Sequence, residues 1–222
     1  MRVSEIFLSI EGEGIRAGLP SVFVRLHGCN LRCSYCDSMY AVEGNDFTDM
    51  SISDIVEAVN QYGVSRVTLT GGEPLIYKEV DELVIALLQD NEVNVETNGS
   101  ISLDSLIDAA EAARLRHKLI ITMDWKSIQS GESDKMRPHN LPNLKSQDVL
   151  KFVVGSEVDL RQMQDVLEHE GTKTNCNVFV SPVFGEIDPA DIVDYVLKYH
   201  MNDVRVQLQI HKMIWDPNKR GV

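Results

Sequence analysis

Apolar positions along the chain follow two rhythms that take turns. Short runs of consecutive or alternating apolar residues at 5–10, 21–26, 66–70, 93–97, 119–123, 149–154, 178–180 and 204–210 predict strands. Between them the spacing changes to that of a helix. Ile52, Ile55, Val56 and Val59 share one face of a helix over 51–61, with Ser51 as its N-cap and Gly63 just past its end. Val80, Leu83, Val84, Leu87 and Leu88 form a second apolar stripe. Further helices are predicted over 103–113, 158–168 and 188–200. The last opens on Asp188-Pro189, where a proline in the first turn costs little. Residues 124–145 read as a long polar loop with two prolines.

Strand and helix alternate roughly every 27 residues, which predicts parallel strands joined by right-handed helical crossovers. Neither a repeat nor a linker interrupts the pattern, so residues 1–222 are expected to form a single domain. A complete eight-fold barrel takes about 250 residues. The expected fold is therefore α/β, an open, partial βα barrel of about six parallel strands. Sites in such sheets lie at the C-terminal strand ends. Four chemistry-bearing stretches fall there: 28–37, Gly71-Gly72-Glu73-Pro74, Thr97-Asn98-Gly99 and Asp124-Trp125-Lys126.

Composition adds little to this picture and removes some functions from it. Hydrophobic content of 43% and charged content of 25% are ordinary for a soluble protein. No apolar run approaches the ~18 residues of a membrane span, and the N-terminus has no signal-peptide core. A cytoplasmic location is expected, where thiols stay reduced and clustered cysteines favour a metal site. The net charge of −13 argues against a nucleic-acid partner, which needs a basic stripe, and no membrane partner is expected. One arginine in a pocket can still hold one carboxylate.

The candidate chemistry begins with Cys29, Cys33 and Cys36; Cys176, the remaining cysteine, is expected to be a buried small hydrophobe. Three thiolates on one metal centre leave a coordination position open, and open positions do chemistry. The Cys-x3-Cys-x2-Cys spacing differs from the paired knuckles of structural zinc sites. His27 sits on the preceding strand and supplies no obvious fourth ligand. A structural zinc with a distant fourth ligand, in a non-enzymatic metal-binding module, remains an alternative. Thr70 to Pro74, taken alone, is a turn.

Together these motifs resemble the radical S-adenosylmethionine (SAM) superfamily. That resemblance implies that Cys29, Cys33 and Cys36 hold a 4Fe–4S cluster whose remaining iron takes SAM. It also implies that Gly72 lies along the aminoacyl group of SAM and that Glu73 contributes to its amino end. Within the superfamily, Ile10-Glu11-Gly12-Glu13-Gly14, Phe23-Val24-Arg25-Leu26-x-Gly28-Cys29-Asn30, Cys36-Asp37-Ser38 and the C-terminal Gln209-Ile210-His211-Lys212-x-Ile214-Trp215 are similar to the 7-carboxy-7-deazaguanine synthase family.

This closer resemblance implies a lyase of queuosine and deazapurine biosynthesis. It would convert 6-carboxy-5,6,7,8-tetrahydropterin to 7-carboxy-7-deazaguanine and ammonia by radical ring contraction, with magnesium orienting the substrate. Ser38, where the family often has threonine, would ligate magnesium, a hard ion that needs oxygen. Arg25 would hold the substrate carboxylate. The backbone of Ile10, Glu11 and Gly12 and the Thr70 hydroxyl would touch the pterin; Glu11 stands where glutamine is more usual. Glu13 and Glu96 would accept from pterin N–H donors. For SAM, Tyr35 and Asp37 would serve the adenine and Thr97 would be a second contact. Asp124 and Lys126 occupy the place of a Ser-Pro-Lys stretch, in which only the lysine matches, and Ser181 would line the ribose or adenine. Gln209 and His211 would close the far edge. A homodimer and an electron donor such as flavodoxin are implied by the same analogy. A glycyl-radical-enzyme activase shares the cysteine and glycine motifs and is the other enzymatic alternative.

Overall fold

The structure, a computed structural model, describes residues 1–169, 175–217 and 219–222. One sheet of nine strands runs through it, with elements following in chain order: β1 (Arg2–Ile10), β2 (Pro20–Leu26), β3 (Thr48–Asp49), α1 (Ile52–Asn60), β4 (Arg66–Gly71), α2 (Val80–Leu88), β5 (Glu92–Thr97), α3 (Asp104–Ala112), β6 (Leu119–Trp125), β7 (Val149–Val154), α4 (Glu157–His169), β8 (Asn177–Pro182), α5 (Pro189–Lys198), β9 (Val204–Val206) and α6 (Ile210–Ile214). The spatial order is β3-β1-β2-β4-β5-β6-β7-β8-β9. From β2 onward each strand lies parallel beside the next, and the sheet ends in edges instead of closing. Crossovers of one hand along such an order put the helices on one face and leave a concave face opposite.

Alternation along the strands sorts side chains between these faces. Val67, Leu69, Val93, Val95, Leu119, Ile121, Met123, Leu150 and Phe152 are buried in the apolar core. The intervening positions carry Thr68, Thr70, Asn94, Glu96, Thr122, Asp124 and Lys151 on the other side of the sheet. The Thr122 hydroxyl donates to Asn94 at 2.9 Å, as expected of neighbours on one face. Register sets Arg25 opposite Thr70 and Asp124 opposite Lys151. Local signals hold the outer layer: Ser51 and Asp54 form a reciprocal capping box at α1, and Asp188 caps α5 ahead of Pro189.

Three expectations need correction. β1 pairs antiparallel with β2, and β3 antiparallel with β1, so the parallel run starts only at β2 and contains seven strands. Residues 11–19 are too few for a parallel crossover, which needs about a dozen or more. The predicted strand over 204–210 stops at Val206. Beyond it Gln207 and Ile210 bond to Gly14 and Gly12, which draws the chain off the sheet and into α6. The polar loop over 124–145 contains three short 3-10 helices, Ile128–Ser130, Ser133–Lys135 and Pro138–Asn143. Among the described residues no helix is long and apolar enough to cross a membrane.

Candidate functional site

A cavity of about 260 Å³ opens at the C-terminal strand ends, and the three cysteines line one side of it. β2 delivers them. The chain leaves Leu26, turns at Gly28 (φ +96°) and enters the loop, which the Gly28 N–H closes by donating to Ala41 O at 2.7 Å. Buried Leu31 anchors the loop in the core. The glycine pair after β4 packs directly beneath it. A Cβ on Gly72 would stand 2.2 Å from Gly28 O and 2.8 Å from the Cys29 Cβ, and one on Gly71 would stand 2.1 Å from Leu26 O. Only glycine allows these two backbones to touch.

The thiols suit a cluster. Burial pushes the Cys29 and Cys33 thiols up, with Lys126 acting the other way on both. Cys29 Sγ accepts from Leu31 N at 3.4 Å and Asn98 Nδ2 at 3.6 Å, donors of the kind that tune iron–sulfur centres. Among the described residues no three His, Cys, Asp or Glu side chains close around one ion. A four-iron cluster asks for a different arrangement, with each thiolate on its own iron. Ser38 Oγ lines the same cavity 3.9 Å from Cys36 Sγ.

Glu73 lies beneath the cavity wall, not on it. It is fully buried, and its carboxylate accepts from Asn98 N (2.6 Å), Leu75 N (3.0 Å) and Thr97 Oγ1 (2.9 Å). Burial pushes its carboxyl up to about 7. Glu73 thus braces the end of β5 against the glycine turn, and Gly72, Thr97 and Asn98 form the wall above it. Tyr35 lines the cavity with its hydroxyl 3.1 Å from Ser127 Oγ, and Asp37 pairs with Lys212 at 2.9 Å.

The other side of the cavity is charged. Arg25, Thr70 and Glu96 share one row across β2, β4 and β5, and all three line the space. Arg25 Nε donates to Glu5 at 2.7 Å. Burial pushes the Glu96 carboxyl up. Lys151 Nζ lies 3.3 Å from both Glu13 and Asp124, and Asp124 also pairs with Lys126 at 2.8 Å. Burial disfavours the Lys151 ammonium, but Asp124, Glu13 and Glu96 outweigh it and hold its pKa well above the ordinary value. Burial likewise disfavours the Glu13 carboxylate, and Lys151 wins, so Glu13 sits below the usual range. Ser181 does not line the cavity. It is buried and donates to Glu13 Oε1 at 2.8 Å, while Gln209 donates to Glu13 Oε2 at 3.1 Å.

Ile10, Glu11 and Gly12 run along the rim. The Glu11 side chain turns away from it into a buried pair with Arg16 at 2.5 Å, and Thr68 also donates to it. What Glu11 can offer a ligand is therefore backbone. His211 stacks so closely on Gly12 that a Cβ there would stand 1.9 Å from His211 Nδ1. Cys176, packed against the core, is half-buried and not fully buried as expected.

Lys151 also lines this cavity and escaped the reading from sequence, which named Asn98 only as part of the Thr97-Asn98-Gly99 strand end and gave it no role. Lys151 had a usable signal: it is the one charged residue within an otherwise apolar strand at 149–154.

The model of the radical SAM superfamily matches residues 23–151, more than half the chain. A 7-carboxy-7-deazaguanine synthase of Clostridium acetobutylicum is 42% identical, with 100% of this chain and 99% of the relative covered. One from Methanospirillum hungatei is 39% identical over 98% of this chain and 86% of its own. The crystal structure of QueE from Escherichia coli shares the fold, with a TM-score of 0.70, 19% identity, and 94% and 93% of the two chains covered. A loop of three thiols thus lies over a glycine turn at the open end of a mostly parallel sheet, and the chain belongs to the 7-carboxy-7-deazaguanine synthase family of the radical SAM superfamily, enzymes of queuosine biosynthesis that use a 4Fe–4S cluster and SAM.

Proposed function

We propose that this chain, as a single domain over residues 1–222, converts 6-carboxy-5,6,7,8-tetrahydropterin to 7-carboxy-7-deazaguanine and ammonia. The observation that carries the reading is that Arg25, Glu13 and Glu96 face the same cavity as Cys29, Cys33 and Cys36. The names of its relatives support the product.

Cys29, Cys33 and Cys36 would hold the cluster, with SAM along Gly72, Thr97, Tyr35 and the Asp124–Lys126 pair. Bound there, the cluster and SAM would supply a carbon radical able to take a hydrogen atom from substrate. The protein's own part is placement. The Arg25 guanidinium matches a carboxylate with two parallel N–H donors. Glu13, kept ionised by Lys151, accepts from pterin N–H groups, and Glu96 on β5 offers a second acceptor in the same cavity. The Thr70 hydroxyl and the Ile10–Gly12 backbone flank them. Gln209 and His211 cover the rim and limit water entry.

Magnesium belongs beside Ser38, whose hydroxyl suits a hard ion. A homodimer, a flavodoxin-type donor and a cytoplasmic location complete the proposal. The test is anaerobic: reconstituted, reduced protein is given SAM, magnesium and carboxytetrahydropterin. Ammonia and 7-carboxy-7-deazaguanine are expected in equal amounts; reductive cleavage of SAM with neither product would overturn the reading.

A further inference from the structure

Glu5 does not line the cavity, yet it determines how Arg25 is presented there. The β1–β2 register places Glu5 directly opposite Arg25, so their side chains share a face. Glu5 continues the regular register of Ile6 to Ile10 and is its last pair before the ladder shifts between Val3 and Glu5. Glu5 Oε1 accepts from Arg25 Nε at 2.7 Å. The same oxygen accepts from the Tyr40 hydroxyl, also at 2.7 Å.

Tyr40 extends the contact to a second element. It belongs to the 3-10 turn Met39–Ala41 that begins immediately after Ser38. The guanidinium of Arg220 packs on its ring, 3.8 Å from the centroid. Burial, with the Glu5 carboxylate assisting, pushes the Tyr40 phenol up to about 12, so it remains a donor at neutral pH. Glu5, Tyr40 and Arg25 therefore form one hydrogen-bonded unit behind the cavity wall, and only Arg25 reaches through it.

A guanidinium has two edges able to grip a carboxylate. With Nε committed to Glu5, the pair of terminal nitrogens is the edge Arg25 can offer. Glu5 also neutralises Arg25, so recognition through this arginine depends on the direction of its N–H bonds more than on a free positive charge. We infer that Glu5 is a positioning residue for selection of the substrate carboxylate: it orients Arg25 and, through Tyr40, ties it to the loop that carries Ser38. The inference rests on the reading of Arg25 as the carboxylate site.

Binding separates this role from a merely structural one. Kd is measured anaerobically by equilibrium dialysis on cluster-reconstituted protein with SAM, once for 6-carboxytetrahydropterin and once for tetrahydropterin, which lacks the carboxylate. The wild type is expected to prefer the carboxylated ligand. Glu5→Gln should weaken that ligand about tenfold and leave tetrahydropterin within about twofold, because one charge-assisted contact is lost behind Arg25 alone. Tyr40→Phe should shift the same ratio in the same direction by about threefold. An unchanged ratio in Glu5→Gln overturns the inference, and so does equal weakening of both ligands. Should Glu5→Gln fail to fold, the Tyr40→Phe ratio decides alone, and no change there overturns it. A wild type with no preference for the carboxylate instead removes Arg25 from the carboxylate site, a result distinct from any of these.

Discussion

Lys151 on β7 stands 3.3 Å from Asp124 on β6, its neighbour across the sheet, and that pair joins two halves of the cavity. On one side of Lys151 is Glu13, proposed above to meet the pterin. On the other, through Asp124, is Lys126, proposed above to lie along SAM.

Lys151→Met follows from this directly. The variant fits the space but leaves Glu13, Asp124 and Glu96 buried together without their shared cation. Breaking a buried charge network in this way costs about 3–5 kcal/mol. Urea unfolding of the cluster-free protein should show a loss of that order at neutral pH. The loss should shrink on acidification, as the carboxyl groups take up protons. A midpoint unchanged from wild type would mean that Lys151 is not the counter-charge.

Glu73 predicts the opposite pH trend in the wild type. Its carboxyl is raised from 4.5 to about 7 by burial, so the folded state binds more protons than the unfolded state between those values. Its contribution to stability is complete below about pH 4.5 and is lost as pH rises through 7, with a span on the order of 3 kcal/mol. Glu73→Gln should be less stable overall, because an amide has one acceptor oxygen where the carboxylate has two. The difference between variant and wild type should nevertheless narrow as pH rises from 4.5 to 7. Parallel stability curves for the two cluster-free proteins would contradict the assignment.

Gly72→Ala should separate folding from cofactor assembly. The new methyl would meet Gly28 O at 2.2 Å and the Cys29 Cβ at 2.8 Å, both parts of the cysteine loop. The loop must move, whereas the core residues beneath it need not. Far-ultraviolet circular dichroism should stay close to wild type, and bound iron after anaerobic reconstitution should fall by about half or more. Full iron content would show that the two backbones are not in contact.

Ser38→Ala removes one oxygen from the cavity and no charge. Cluster content and SAM binding should be retained and stimulation by magnesium lost, because the hard ion loses a ligand. Titrating magnesium against product formation checks this; an unaltered response removes Ser38 from the ion's site.

Much of this site could be read from the chain because strand ends are local features. Each C-terminal end carries its own marker: the cysteine loop after β2, the paired glycines after β4, Thr97 and Asn98 after β5, and Asp124 to Lys126 at the end of β6. Parallel strands bring such ends to one edge whatever the details of packing. Direction was harder to read. The alternation over 5–10 is the same in parallel and antiparallel strands, and only the short link at 11–19 reports that β1 turns back. The alternation over 204–210 likewise satisfies a strand, and it took the competing bonds from Gln207 and Ile210 to the Gly12–Gly14 loop to end it.

The sequence by itself determined the thiol loop, its glycine partner and the polar residues at the strand ends, since these depend on spacing within a few residues. Only the tertiary structure decided which of those groups face the cavity and which stand behind it. Glu73 and Ser181 brace the wall, Glu11 turns inward to Arg16, Lys151 becomes the shared counter-charge, and Glu5 stands behind Arg25. Those outcomes depend on which residues of different strands lie opposite one another. That register emerges when the whole sheet packs, and it leaves no mark within any one segment.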